Sequence, residues 1–206
     1  MKMLPDGAED RLLANANIIA DVCKASGVDQ WDLVGFQSYG HQLDIEAGKI
    51  TMAGGGGEGG FGVRVVDQGK FGFAHLVDVK GAERAVSQAI SIAKKSPSVK
   101  DFVLPSLQPA TEVAGRFDAR LLDLHPEDLL EQADAVLSEV KSLEERAVVT
   151  GGGVGVSATA GCLMNSEGIL STGMTSSHGI GLQVTLDVNG QVTSSYQGES
   201  SRTQLE

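Results

Sequence analysis

Gly55, Gly57 and Gly60 satisfy the G-x-G-x-x-G spacing with which a glycine-rich turn offers backbone amides to a phosphate. That chemistry needs a strand before the glycines and a helix after them, whose N-terminal amides hold the anion. Here the glycines lead into Phe61-Gly62-Val63-Arg64-Val65-Val66, an alternating strand pattern, so the run reads as a mobile loop. Gly151-Gly152-Gly153 fails as a phosphate site on the same ground. The four histidines are His41, His75, His125 and His178, and no two stand at an H-x-x-x-H spacing. Neither Cys23 nor Cys162 neighbours one in sequence, which leaves only a zinc site assembled from separate strands. His125 precedes Pro126 at a helix entry and His75 ends a strand, positions that suit capping or surface roles. His178 begins a long strand, where it can face the open side of a sheet. Serines crowd 171–177 and 194–201 without a G-x-S-x-G elbow, so they are expected to cover solvent-facing strand positions. Arg64 stands alone and is expected to neutralise local acids. No catalytic residue, cofactor contact or metal ligand is assigned.

The elements that would position these residues come twice. Gly60-Phe61-Gly62-Val63-Arg64-Val65 reappears as Gly179-Ile180-Gly181-Leu182-Gln183-Val184, an offset of 119 (179 − 60). Gly48 has a counterpart in Gly168, an offset of 120 (168 − 48), and Gly69 one in Gly190, an offset of 121 (190 − 69). Three anchors in one order point to a duplicated unit.

Apolar residues at helical spacing predict a helix over 10–25, with Leu12, Ala16, Ile19 and Cys23 on one face and Ser26-Gly27 as the stop. Residues 31–47 read as strand, with a shift of apolar parity near 35–38 that suggests a bulge. After Gly48 a short strand covers 49–53, the glycine run interrupts, and alternation resumes at Phe61. Asp67-Gln68-Gly69-Lys70 is a hairpin signal, followed by Phe71, Phe73 and His75 and by an alanine-rich helix near 81–95.

Residues 96–118 carry Pro97, Pro105 and Pro109 without periodicity, as an extended connector wrapping a surface would. A second helix opens at Pro126 with Glu127 and Asp128 behind it, its face built from Leu129, Leu130, Ala133, Val136, Leu137 and Val140. Alternation through Val154, Val156, Ala158, Ala160, Cys162 and Met164 is followed by a turn at 165–168. The last clear strand puts Ile180, Leu182, Val184, Leu186 and Val188 on one face and ends at the Asn189-Gly190 hairpin signal. Residues 1–95 therefore form a first αββββ unit with a closing helix, 96–124 a connector, and 125–206 a second αββββ unit. The expected class is α+β, with helices packed on antiparallel sheets.

With 16 basic and 27 acidic residues the net charge is −11, which argues against nucleic acid, since phosphate binding needs clustered Lys and Arg. No stretch reaches about 18 apolar residues, so no membrane span is expected. Two distant cysteines suit a reducing, cytoplasmic compartment. The terminal Leu205-Glu206 suggests a cloning remnant, and hence a chain cut from a longer protein.

The motifs, in this order, resemble a known family. Gly60-Phe61-Gly62-Val63-Arg64-Val65 followed by Gly69-Lys70-Phe71-Gly72-Phe73-Ala74 resembles the strand pair of the TldD/PmbA family, which precedes an alanine-rich helix. Asn165-Ser166-Glu167-Gly168 resembles its N-S-x-G turn, and 148–157 with His125-Pro126-Glu127 looks more like the PmbA (TldE) branch than TldD. Gly60, Gly62, Arg64, Gly69, Gly72, Asn165, Ser166 and Gly168 are thus signature residues of structural character.

The resemblance implies the N-terminal domain of a PmbA/TldE-like subunit in a cytoplasmic zinc metallopeptidase system. Such systems cleave unstructured peptides, and the family was named a modulator of DNA gyrase. In the TldD branch zinc is held by an H-E-x-x-x-H helix and a cysteine beyond the region matched here. This chain has no such helix, so zinc is implied only for a C-terminal portion or a TldD-type partner. The expected role is a non-catalytic scaffold for peptide access, dimerising with itself or with a TldD-type subunit. The rival from another class is a stand-alone binding or assembly module.

Overall fold

The computed structural model describes residues 3–107 and 113–205; Pro109 of the connector and Glu206 lie outside the described residues. The elements are α1 (Ala8–Ala25), β1 (Gln30–Glu46), β2 (Lys49–Asp67), β3 (Lys70–Leu76), α2 (Ala82–Ala93), α3 (Pro126–Leu143), β4 (Val148–Asn165), β5 (Leu170–Val188) and β6 (Gln191–Ser201). Short 3-10 turns occupy Val79–Gly81 and Ala119–Asp123.

The strands form one sheet in the order β3-β2-β1-β4-β5-β6, antiparallel at every pairing. The fold is α+β, with the helices on one face of that sheet. Elements recur at a nearly constant distance: α3 begins 118 residues after α1 (126 − 8), β4 118 after β1 (148 − 30), and β5 121 after β2 (170 − 49).

Each half carries three long strands where four were expected. The glycine run at 54–60 does not interrupt anything: Gly54 to Gly60 pair in unbroken register with Gln42 back to Phe36. Antiparallel ladder bonds are made by the backbone, and glycine keeps its N–H, so a partner strand holds an extended glycine run despite its poor β propensity.

The bulge expected near 35–38 is absent as well. β1 keeps one register against β4 throughout and shifts against β2 only between Asp44 and Ile45. The apparent change of parity arises because Val34 and Phe36 lie on the face away from the helices, half exposed, while Gln37 and His41 lie on the helix face.

Two apolar clusters fill the space between sheet and helices. The larger joins Leu12, Ile19 and Cys23 of α1 with Leu33, Val63 and Val65 of the sheet and Ala85, Val86 and Ala89 of α2. The smaller gathers Leu43, Ile45, Val154 and Leu182 under Leu129 and Ala133 of α3. Helix α1 buries six residues fully, whereas α3 buries only Leu129 and Ala133. The expected α3 face is therefore only partly covered: Val136, Leu137 and Val140 pack at its margin and Leu130 reaches solvent.

The connector does more than wrap a surface. Leu104 and Leu121 are buried, and Leu122 accepts a hydrogen bond from the Met3 amide (3.2 Å). No helix among the described residues is long and apolar enough to cross a membrane.

Gly72 decides how closely α2 approaches the sheet, because a Cβ there would lie 1.7 Å from the Ala89 carbonyl oxygen. Gly62, on the sheet face away from the helices, has nothing within 4 Å of its own Cβ position. Gly72→Ala is expected to lower stability by about 1–3 kcal/mol through overpacking against backbone, and Gly62→Ala to stay within about 0.5 kcal/mol. Urea denaturation of the two variants checks the contrast.

Candidate functional site

Period-two geometry sorts the sheet into two faces. Trp31, Leu33, Leu43 and Ile45 of β1 look toward the helices, while Asp32, Val34, Phe36, Ser38, Gly40 and Gln42 look the other way. The register carries that open face outward: Gly54, Gly56, Glu58, Gly60, Gly62 and Arg64 on β2, and Gly155, Ser157, Thr159 and Gly161 on β4. Small and hydroxyl-bearing residues therefore leave backbone accessible across the centre. A broad concavity of about 690 Å³ lies there, lined by Ser38, Gln42, Gly54, Gly56, Glu58 and Ser157 among others.

The concavity opens onto an unusual edge. β3 pairs with β2 only over 61–67, so among the described residues no strand covers the outer side of β2 over 49–60. The corresponding edge of β5, over 170–177, is guarded by the connector. There the Ser176 amide donates to the Arg116 carbonyl (3.1 Å) and the Asp118 amide to Ser176 Oγ (2.9 Å). On β2 the positions of Gly54 and Gly56 have nothing within 4 Å of a built Cβ, so approaching backbone meets no side chain.

Arg64, Asn165 and Ser166 lie at one end of the sheet, whereas Gly72 faces α2 on the helix side. Arg64 Nε donates to Asp32 Oδ1 (3.2 Å), and its Nη2 reaches Oδ2, fulfilling the expected charge neutralisation. Its guanidinium lies 5.5 Å from the Phe102 ring centre and 5.9 Å from that of Phe73, a cation–π sandwich. Phe102 meets Phe71 edge to face at 4.6 Å. Phe102 carries no sequence signal as a partner, since it sits in the aperiodic connector.

Asp32 pairs across the ladder with Asn165 on its other side. Asn165 Oδ1 accepts from the Glu167 and Ile169 amides (3.0 and 2.9 Å), and its Nδ2 donates to the Pro105 carbonyl (2.8 Å). Ser166 exchanges two bonds with Trp31: its amide donates to the Trp31 carbonyl (2.9 Å), and its Oγ accepts from the Trp31 amide (3.2 Å). Gly168 takes φ 91° and closes the turn, a backbone region that glycine enters without strain. Gly69 adopts φ 72° and accepts the Val99 amide on its carbonyl (2.7 Å), tying the connector to the hairpin. A Cβ at Gly60 would lie 2.8 Å from the Leu76 carbonyl, so this position too serves close packing.

His41 and His125 stand near enough for their charges to interact. Among the described residues no group of three or more His, Cys, Asp or Glu side chains is placed to hold a metal ion. His41 Nδ1 is buried without a hydrogen-bond partner, Tyr39 stands edge-on at 5.4 Å, and the charges of His125 and Glu127 reach the ring. Both thiols are buried, which pushes the Cys23 pKa up to about 12 and raises that of Cys162, so neither is poised as a nucleophile.

His178, which the strand pattern allowed on the open side, lies on the helix face and is almost fully buried. Its Nδ1 accepts the Leu205 amide (3.2 Å), which places the ring proton on Nε2, where it donates to Gln132 Oε1 (2.9 Å). The register explains the difference: His178 shares its face with Ile180 and Leu182, so strand parity turns it inward. Gln132 itself has no sequence signal beyond helical spacing.

Comparison with known proteins meets this geometry at its signature end. Residues 31–93 match the family described as PmbA/TldA metallopeptidase domain 1. The whole sheet with its helices is shared by TldE from Thermococcus kodakarensis, at TM-score 0.79 and 19% identity, covering 94% of this chain and 42% of that one. Over residues 31–93 the chain is similar to the TldD/PmbA family.

A Bacteroides thetaiotaomicron protein described as a modulator of DNA gyrase has the same fold, at TM-score 0.83 and 19% identity over 98% of this chain and 46% of that one. A Thermotoga maritima protein of like description matches at TM-score 0.79 and 14% identity, over 93% and 43% of the two chains. An uncharacterized protein of Methanocaldococcus jannaschii is 32% identical over 133 residues, 65% of this chain and 30% of the relative. The chain spans less than half the length of these relatives.

Two outcomes follow. Asn165→Ala strips the turn of an acceptor for two amides and is expected to cost about 1–3 kcal/mol, read from chemical denaturation. Burial lowers the His178 pKa from 6.5, so below that pH the unfolded chain takes up a proton that the folded ring refuses. Burial, and then the neighbouring His125, lower His41 in the same direction. Stability is therefore full above about pH 6.5 and falls as the pH drops below it. Melting curves between pH 7.5 and 5.5 should show the decline, with a shallower slope in His178→Asn.

Proposed function

We propose that this chain is the N-terminal part of a PmbA/TldE-like subunit of a TldD/PmbA-type metallopeptidase system, and that it acts as a non-catalytic scaffold for unstructured peptides. The observation that carries the reading is the unpaired outer edge of β2 over 49–60, flanked by the glycine-lined concavity. An extended peptide can add to such an edge through main-chain hydrogen bonds, with little demand on its side chains. That indifference suits a system acting on varied unstructured peptides. The flexible glycine loop expected from sequence has no part in it; the glycines present a held strand instead.

In this reading zinc sits in a C-terminal portion or in a TldD-type partner, where it supplies an activated water. This chain's own residues bind and align the peptide. The subunit dimerises with itself or with a TldD-type chain in the cytoplasm, and its net charge of −11 disfavours direct contact with DNA.

Deuterium exchange with an unstructured casein fragment tests the scaffold role. Protection is expected over 49–60, and Gly54→Lys/Gly56→Lys is expected to weaken binding at least tenfold without lowering Tm, because both Cβ positions are open. Stoichiometric zinc binding and casein hydrolysis by the isolated chain would refute the division of labour. If the peptide gave no protection, the rival reading as an assembly module without a peptidase connection would stand.

A further inference from the structure

A row of residues crosses the sheet beneath the first half of α3. His41 of β1 stands opposite Val156 of β4, and Val156 stands opposite His178 of β5, so two imidazoles flank one buried valine on the helix face. Neighbouring strands lie about 4.8 Å apart, which sets the two histidine backbones roughly 10 Å from each other. Helix α3 meets both rings. Gln132 on its second turn takes the His178 Nε2 proton at 2.9 Å, and His125 and Glu127 at its entry bring their charges to His41. Neither ring is built for a second proton. His178 Nδ1 accepts the Leu205 amide (3.2 Å), whereas an imidazolium has a donor on each nitrogen and no acceptor. His41 Nδ1 is buried without a hydrogen-bond partner, so an imidazolium there holds a buried N–H that nothing accepts.

We propose that this row is an acid-sensitive catch: when His41 and His178 take up protons, α3 lifts from the sheet as a unit while α1, α2 and the strands beneath them stay folded. A charged imidazole in the row must reach water, and the element lying over both rings is α3. The apolar cluster under α3, with Leu43, Ile45, Val154 and Val156, is separate from the one under α1 and α2, so the first can open without the second. The other histidines, His75 and His125, are exposed and need no opening to charge. The groups facing His178 are uncharged: Gln132 of α3, Val156 of β4, Ser201 of β6 and the Leu205 amide. Asp118, ion-paired with Arg120, and Arg202 are engaged at Ser176, two residues along β5. At His41, His125 and the amino terminus oppose protonation and Glu127 favours it, while Tyr39, Gly55 of β2 and Val156 are uncharged. Burial lowers both rings from 6.5. Above about pH 6.5 open and closed forms are equally neutral and the catch holds. Below it the open form gains the proton, and the closed form loses about tenfold per pH unit for each ring that charges on opening.

Deuterium exchange of the whole chain at pH 7.5 and 5.5, each corrected for the intrinsic exchange rate, reads the catch directly. Residues 129–140 of α3 are expected to lose protection by about tenfold or more at the lower pH, while 12–23 of α1 and 82–93 of α2 change by less than about threefold. The double variant His41→Gln/His178→Gln, which keeps a donor for Gln132 but cannot charge, is expected to hold α3 equally well at both values. Imidazole nitrogen NMR of the unaltered chain supplies a readout that needs no variant: His178 should stay a neutral Nε2–H ring at pH 6. Loss of protection in α1 and α2 together with α3 would mean global unfolding and overturns the proposal. So does opening confined to 202–205, which would make that segment the lid. Acid release that persists in the double variant, or a charged His178 in the folded chain at pH 7, overturns it equally.

Discussion

The antiparallel ladder between β1 and β4 governs the rest of the molecule. It runs in a single register from Asp32 opposite Asn165 to Ile45 opposite Gly152 and joins the two halves at the centre of the sheet. Side chains alternate faces with a period of two, so a slip by one residue would send Leu33, Leu43 and Ile45 to solvent and bring Asp32 and Gln42 beneath the helices. Both apolar clusters contain residues from both strands, and their burial fixes the register. Once it is fixed, the opposite face is fixed too. Serines, threonines and glycines necessarily become a continuous open surface.

Glycine has two separate uses on this scaffold. At Gly72, and at Gly153, where a Cβ would lie 2.4 Å from the Leu43 carbonyl, it permits close backbone approach. At Gly54 and Gly56 it serves no packing need and leaves an edge bare. The asymmetry between the halves gives that bare edge meaning. The connector covers the equivalent edge of β5 through Arg116 and Asp118, while α2 covers the outer strands of the first half and nothing described covers those of the second. Two halves alike in element order but unequally covered by the described residues expose two distinct surfaces, one made of backbone and one of aliphatic side chains.

Much of this was legible from residue order. The helical stripes of α1 and α2, the hairpins at Gly69 and Gly190, the 165–168 turn and the repeat offset come from local periodicity and turn chemistry, which neighbours in sequence settle. Arg64 as a neutraliser of acid was legible as a type of role, though Asp32 was not identifiable as its partner. The glycine run was misread because propensity speaks only for the isolated strand, and the ladder to β1 was invisible. The parity change near 35–38 was misread for a related reason. Apolar Val34 and Phe36 belong to the half-exposed face, and only the fold shows which face is which.

The sequence by itself determined the α+β class, the doubled pattern of elements and the lack of any local catalytic or metal-binding motif, since all three depend on residues close together along the chain. Tertiary structure alone decided that His178 turns inward to Gln132, that connector residues Leu104 and Leu121 enter the core, and that no described strand pairs with the outer side of β2 over 49–60. Those outcomes depend on strand register and on which distant segment reaches a surface first. Both are set by the burial of the whole apolar set at once, and no window of sequence contains it.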